Sequence, residues 1–176
     1  MELIEGGAAV LAPDRDDAAF DAFVAARLPH LLRLGRALTG DEQRGADLVQ
    51  DALERALVRW RRLDEPEAFV RRAMVNRSIS VWRKVRRERP LEALGTHASH
   101  DVVHDRPADH ELLAAVRALP PRQRAVVALR YYEDLTEAQT AEVLGCSVGT
   151  VKSQANRAML ALRRQLPTYT DREETR

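Results

Sequence analysis

Between Ser147 and Arg157 the chain sets out Ser147, Gly149, Thr150, Lys152, Ser153, Asn156 and Arg157. On a helix this spacing gathers short polar and cationic groups on one face. Ser, Lys, Asn and Arg side chains donate well to phosphate oxygens and to base edges. From Thr150 to Leu166 there are four cations and no carboxylate. A second basic group lies upstream, with Asn76, Arg77, Ser80, Trp82, Arg83, Lys84 and Arg87 close in sequence. Basic residues interleaved with an aromatic suit a nucleic acid, single-stranded or duplex. Both groups would also serve as ordinary solvated helix faces, and a basic helix end complements its own dipole. Six cations within residues 77–89 exceed what a dipole requires. A third group is His97, His100 and His104, followed by His110. Spaced histidines can ligate a metal, but no cysteine or helical framework accompanies them, so a polar linker is expected and no metal or cofactor. No Ser–His–Asp set, catalytic cysteine or phosphate loop is present, so no catalytic residue is assigned.

The elements that hold these groups follow from local signals. Thr136 followed by Gln139 is a capping-box start. The short helix it opens is expected to turn Ala138, Ala141 and Leu144 inward and to stop at Gly145, which takes the left-handed conformation a sharp turn needs. Thr140 sits where an apolar residue would be comfortable, and its hydroxyl is expected to bond back to the preceding turn. Ser147 then caps a second helix with Val151, Ala155, Ala158 and Leu162 on its apolar face. Two short helices joined by a Gly-containing turn match the helix-turn-helix, whose second helix enters the major groove. An ordinary helical hairpin gives the same pattern.

Earlier in the chain, residues 17–38 read as a helix with Pro29 inside it, where a kink or a break into two helices is expected. Asp41 opens a helix to about Trp60 with an apolar stripe of Leu48, Val49, Ala52, Leu53, Ala56 and Leu57. Asp64-Glu65-Pro66 starts another, running to about Glu88. Residues 90–107 break the pattern and read as a linker. A helix over 108–119 comes next, then one from Pro121 through Tyr132 that packs under the helix-turn-helix. The expectation is an all-α protein: two small helical domains joined by a flexible linker, the C-terminal one containing the helix-turn-helix. The boundaries are a loose tail over 1–15, domains over 16–89 and 108–167, the linker over 90–107, and a tail over 168–176.

Composition agrees with that outline. The chain has 176 residues, with aromatics only 5%. Net charge is +1, but its distribution is uneven: residues 1–29 carry six acids and two Arg, residues 59–89 eleven cations and four acids. The cations are 26 Arg and 2 Lys; Arg suits phosphate contacts, and such a skew equally reflects genomic base composition. One cysteine, Cys146, excludes an internal disulfide. No signal peptide and no apolar run of membrane-spanning length is evident, so a soluble, cytoplasmic protein is expected.

Three stretches together resemble the extracytoplasmic-function (ECF, group IV) RNA polymerase sigma factors, of the SigE-family type. ADLVQDALERAL (46–57) resembles the helix that clamps the polymerase core. FVRRAMVNRSISVWRKVRRER (69–89) resembles the helix that reads and opens the −10 element. LPPRQRAVVALRYYEDLTEAQTAEVLGCSVGTVKSQANRAML (119–160) resembles the −35-reading domain, and LGCSVGTVKS is its most specific part. The resemblance implies a sigma region 2 domain over 16–89 and a sigma region 4 domain over 108–167. It implies that Asp47, Leu48, Gln50 and Asp51 face the core enzyme. It implies that Asn76, Arg77, Ser80, Trp82, Arg83, Lys84 and Arg87 lie at the −10 element, and that Ser147, Gly149, Thr150, Lys152, Ser153, Asn156 and Arg157 read the −35 duplex. Implied partners are the β′ and β subunits of the core, promoter DNA and an anti-sigma factor. The chain departs from many members at Ser80, where an acid is common, and at Gln154, where Arg is common. Two other readings stand beside this one. A stand-alone helix-turn-helix regulator, dimeric on duplex DNA, accounts for residues 136–162 but not for the basic helix upstream. A metal-dependent enzyme using the histidines has the least support.

Overall fold

The structure, a computed structural model, describes residues 15–88 and 107–166, with side chains for residues 17–81 and 111–166. The described residues are predominantly helical, without a strand. They form α1 (Arg15–Thr39), α2 (Glu42–Arg59) with a 3₁₀ turn over Trp60–Arg62, and α3 (Pro66–Glu88). After the undescribed residues 89–106 come α4 (Pro107–Ala118), α5 (Pro121–Val127) continued by a π-helical turn over Ala128–Tyr132, α6 (Glu137–Leu144) and α7 (Val148–Gln165).

α1 runs unbroken through Pro29, where the sequence leads one to expect a kink or break. Pro29 and Ala25, the residue whose carbonyl loses its partner, are both exposed, so water can satisfy that oxygen. Leu31 and Leu34, one turn further on, are fully buried and hold the helix to its course. Gly40, at φ +69, ends it. Asp41 caps α2 by accepting from the Arg44 amide at 2.9 Å. α2 then folds back so closely that a Cβ on Gly35 would lie 2.6 Å from the Gly45 carbonyl oxygen. Only glycine at both positions lets these two backbones touch.

α3 lies across this pair and buries Val70, Met74, Val75 and Ile79. The same cluster contains Ala125, Ala128 and Leu129 from α5 and the π turn. The N-terminal half (α1–α3) and the C-terminal half (α4–α7) therefore share one core. Each fully buried Leu or Met there contributes roughly 1.5–3 kcal/mol. Two smaller clusters knit the C-terminal half. Ala115 and Leu119 meet Ala158, Leu162 and Leu166, while Val126 meets Ala141 and Val151.

A buried cation also joins the halves. Arg124 of α5 donates to the Leu38 and Thr39 carbonyls at the end of α1, and to the Arg117 and Leu119 carbonyls at the end of α4. It has no carboxylate partner in this set; carbonyls at the negative ends of two helix dipoles take that place. Burial, with Arg117 and Arg44 nearby, lowers its pKa from 12.5 to about 10, so it remains charged at neutral pH.

The π turn has no counterpart in the sequence reading. It is closed by the Glu133 amide on the Ala128 carbonyl at 3.0 Å. Such a turn accommodates an extra residue and rotates the chain beyond it by about 100° relative to a continuous α-helix. Tyr132 and Glu133 thereby face α1 and α3. Asp134, at φ +52, completes the exit; a short polar side chain tolerates that conformation.

Candidate nucleic-acid interface

The helix-turn-helix forms through the signals read in its sequence. Thr136 Oγ1 accepts from the Gln139 amide at 3.2 Å, and Gln139 Oε1 accepts from the Thr136 amide at 2.8 Å. At the other end of α6 the Cys146 amide bonds the Ala141 carbonyl at 3.0 Å and the Gly145 amide the Glu142 carbonyl at 3.3 Å. This is a Schellman closure around Gly145, at φ 60 and ψ 44. Ser147 Oγ then accepts from the Thr150 amide at 3.1 Å and starts α7.

α6 differs from expectation at one residue. Ala138 is exposed, and Thr140 with Ala141 occupies the interior. Thr140 is wholly buried, yet its hydroxyl finds no partner, so the expected bond to the preceding turn does not form. Eight residues are too few to fix a helix's phase from its apolar spacing, and the packing of Val126 and Val151 decides it. On α7 the apolar face is as read: Val151, Ala158 and Leu162 are buried and Ala155 half-buried.

Gly149, Lys152, Ser153, Asn156 and Arg157 are all exposed along α7, with Ser147 at its start. No acid lies on α7. Lys152 sits 3.6 Å from Glu137 of α6, an exposed pair worth little and free to exchange Glu137 for a phosphate. Ser153 Oγ donates to the Thr150 carbonyl at 3.0 Å. Thr150 is set apart from the others. It is half-buried and turned toward α3.

On α3, Asn76, Arg77 and Ser80 are exposed. Trp82, Arg83, Lys84 and Arg87 fall on its last turns, where the side chains lie outside the described residues; so do His97, His100 and His104. Among the described residues no cluster suits a metal ion. Asn76 and Ser80 share a cleft of about 200 Å³ with Cys146, Thr150 and Gln154 of the helix-turn-helix. The two nucleic-acid candidates thus meet across one gap.

The α2 group divides. Asp47 and Gln50 are exposed and engage Gln43 and Glu54 one turn away. Asp51 lies between Arg55, at 3.1 Å, and Arg77 of α3, at 3.8 Å. Leu48 is buried and supports this face from beneath. Leu57, read as part of the apolar stripe, is 48% exposed beside Val58 at 84%. Sequence reading missed Arg71, Glu133, His30 and Arg124, which join the halves. Their partners lie 62 residues or more away or are backbone carbonyls, and local periodicity carries no trace of such pairs.

Comparison with known proteins agrees with this arrangement. The family model for sigma-70 region 4 matches residues 109–162, and that for the sigma2 domain of PhyR matches 24–77. The RNA polymerase sigma-E factor of Streptomyces coelicolor is 38% identical, the match covering 84% of this chain and 85% of that one. The ECF RNA polymerase sigma factor EcfG of Rhodopseudomonas palustris is 31% identical, over 77% of this chain and 78% of that protein. The sigma factor RpoE of Bartonella quintana, solved in complex with the anti-sigma factor NepR, shares the fold. Its TM-score is 0.68 at 24% identity, covering 85% of this chain and 97% of that one. A helix-turn-helix presenting an acid-free face, a basic helix packed beside it, and relatives matched over most of their length lead to one assignment: the chain belongs to the extracytoplasmic-function group of RNA polymerase sigma factors.

Proposed function

We propose that this chain is a detachable promoter-specificity subunit: it binds RNA polymerase core and directs initiation by reading −10 and −35 elements. The observation that carries this is the exposed face of α7, where Gly149, Lys152, Ser153, Asn156 and Arg157 stand clear of the core with no acid among them. A capped helix of 18 residues with such a face fits the major groove of a duplex.

In this proposal residues 16–89 bind the core and the −10 element, and residues 108–167 read the −35 duplex. Asp47, Gln50 and Asp51 meet the core enzyme's β′ subunit, with Leu48 holding the helix behind them. Asn76, Arg77 and Ser80, with Trp82, Arg83, Lys84 and Arg87 further along α3, take the −10 strand. Ser147 and Thr150 join the α7 face at the −35 element. The chain carries no chemistry itself; the polymerase supplies it. It works in the cytoplasm, consistent with the described residues holding no helix long and apolar enough to cross a membrane. An anti-sigma factor is a further partner, as NepR is for the Bartonella protein.

The test is run-off transcription with purified core polymerase, this protein and upstream DNA fragments from its own genome. Specific transcripts that depend on the protein are expected. Absence of core binding, with tight binding of duplex sites by the protein alone, would overturn the proposal in favour of a stand-alone regulator.

A further inference from the structure

Where α4 meets α1 the fold leaves an apolar groove of about 310 Å³. The two helices are tied beside it by Arg117 Nε of α4, which donates to the Gly40 carbonyl at the end of α1 at 2.7 Å. Leu112 and Val116 of α4, Val127 of α5 and Tyr131 of the π turn supply the apolar wall. Leu112 is 42% exposed and Tyr131 56%, and large apolar side chains gathered in the open mark a contact surface. Arg33 and Arg36 line the groove from α1, and its lining holds no acid. The Tyr132 hydroxyl accepts from Arg33 Nε at 3.0 Å, which holds that guanidinium at the groove. Such a site suits a segment that offers an apolar or aromatic side chain followed by carboxylates.

The chain itself supplies such a segment. Leu166, at the end of α7, is buried in one cluster with Ala115, Leu119 and Leu162. Val116 and Val127 pack against that cluster and also line the groove. The chain therefore leaves α7 beside the groove. Pro167 follows and cannot continue the helix. Beyond it stand Tyr169, Asp171 and Glu173, two residues apart. An extended backbone puts this aromatic and these two carboxylates on one face, and Arg172 on the other. At about 3.3 Å per residue, Tyr169 reaches about 10 Å from Leu166 and Glu173 about 23 Å. That is enough to pass from α4 to α1, since packed helices lie about 8–10 Å apart. Residues 1–14 start from the other end of α1, about 27 Å short of Arg33 at about 1.5 Å per residue. We propose that residues 167–173 dock in this groove, with Tyr169 among Leu112, Val116 and Tyr131, and Asp171 and Glu173 on Arg33 and Arg36. The segment after α7 is then an intramolecular ligand of the surface between α1 and α4, a role that does not depend on the promoter-reading proposal.

Hydroxyl-radical footprinting of the free, full-length chain tests this, with modification of Tyr131 and Leu112 read by mass spectrometry. Leu160, exposed but not part of the groove, is the internal reference. A second chain ends at Leu166. A third is full-length and carries Tyr169→Ala, Asp171→Lys and Glu173→Lys together. A tether this short gives an effective concentration on the order of 1 mM, so a contact with a Kd of about 0.3 mM stays closed about three-quarters of the time. Tyr131 modification should therefore rise about fourfold when the segment is removed, with Leu160 unchanged. The triple variant should rise nearly as far while keeping its helical circular dichroism. Thr168→Ala with Thr170→Ala, on the opposite face, should leave Tyr131 protected; loss of protection there would overturn the assigned face. Equal modification of Tyr131 in the full and shortened chains would overturn the proposal. If Tyr131 reacts slowly in both, another occupant fills the groove, whether residues 1–14, residues 89–106 or a second copy. Should the shortened chain lose its helical signal, the triple variant decides alone, and unchanged Tyr131 reactivity in it refutes the docking. Neither DNA nor polymerase enters these measurements, so they stand or fall apart from the run-off assay.

Discussion

Replacing Arg124 by Met removes the charge and all its donors while keeping an unbranched side chain in the same space. Four carbonyls, of Leu38, Thr39, Arg117 and Leu119, lose their donor, and those of Arg117 and Leu119 had bonds of 3.1 and 3.0 Å. An orphaned buried acceptor costs about 1–3 kcal/mol. Three well-made bonds therefore represent roughly 3–9 kcal/mol of gross loss. Against this, the buried cation no longer has to be kept charged. The fall of its pKa from 12.5 to about 10 corresponds to about 3 kcal/mol against the ionised form. Water reaching the exposed end of the site recovers part of the remainder. The expected net destabilisation is about 2–4 kcal/mol, a fall in Tm of roughly 5–15 °C for a chain of this length. Equilibrium urea unfolding followed by helical circular dichroism measures it. Arg124→Lys should fall between, because one ammonium cannot reach carbonyls on two helix ends in the guanidinium's geometry. A Met variant within about 0.5 kcal/mol of the parent, the range of an ordinary surface substitution, would refute the view that this arginine ties α1 to α4.

Thr140→Val should stabilise the chain by about 1 kcal/mol, since its buried hydroxyl has no partner and the swap removes an uncompensated polar group; a loss of stability in the same unfolding assay would mean the hydroxyl is bonded after all. Gly35→Ala should cost about 1–3 kcal/mol by driving a methyl against the Gly45 backbone, and a thermal melt that does not fall would contradict the close crossing of α1 and α2. Lys152→Ala should weaken −35 duplex binding by the holoenzyme and flatten its salt dependence by about one unit of slope, whereas an unaltered slope would remove Lys152 from the phosphate contacts.

The features legible in the chain alone are those encoded within a few residues. Thr136 with Gln139, Gly145 and Ser147 each satisfy backbone groups next to themselves, so the helix-turn-helix is visible with its limits nearly right. Asp41 and Pro66 mark helix starts for the same reason. The apolar phase of α7 is legible because its 18 residues span several turns; that of α6, with eight, is legible in part, since Thr140 and Ala141 turn inward as the spacing suggests while Ala138 is exposed. Pro29 misleads because the penalty it carries is local while Leu31 and Leu34, packed against distant helices, oppose it. The face of α7 is legible as an acid-free pattern. The cleft that brings Thr150 opposite Asn76 and Ser80 is not, since it depends on how separate helices stack. Glu133 reads as one more charge in a turn. Nothing within a short window tells that its side chain is almost wholly buried, or that an arginine 62 residues earlier waits for it.

The shared core has a consequence during synthesis. Residues 15–88 emerge from the ribosome before Ala125, Ala128 and Leu129 exist to cover the apolar surface of α1 and α3. About 40 further residues must be added, which takes roughly 2–8 s at ordinary translation rates of about 5–20 residues per second. Over that interval the nascent N-terminal helices offer a sticky surface to chaperones and to neighbouring chains on the same message. Slow codons placed between residues 89 and 129 would prolong the interval, and premature termination there would release a fragment prone to aggregate.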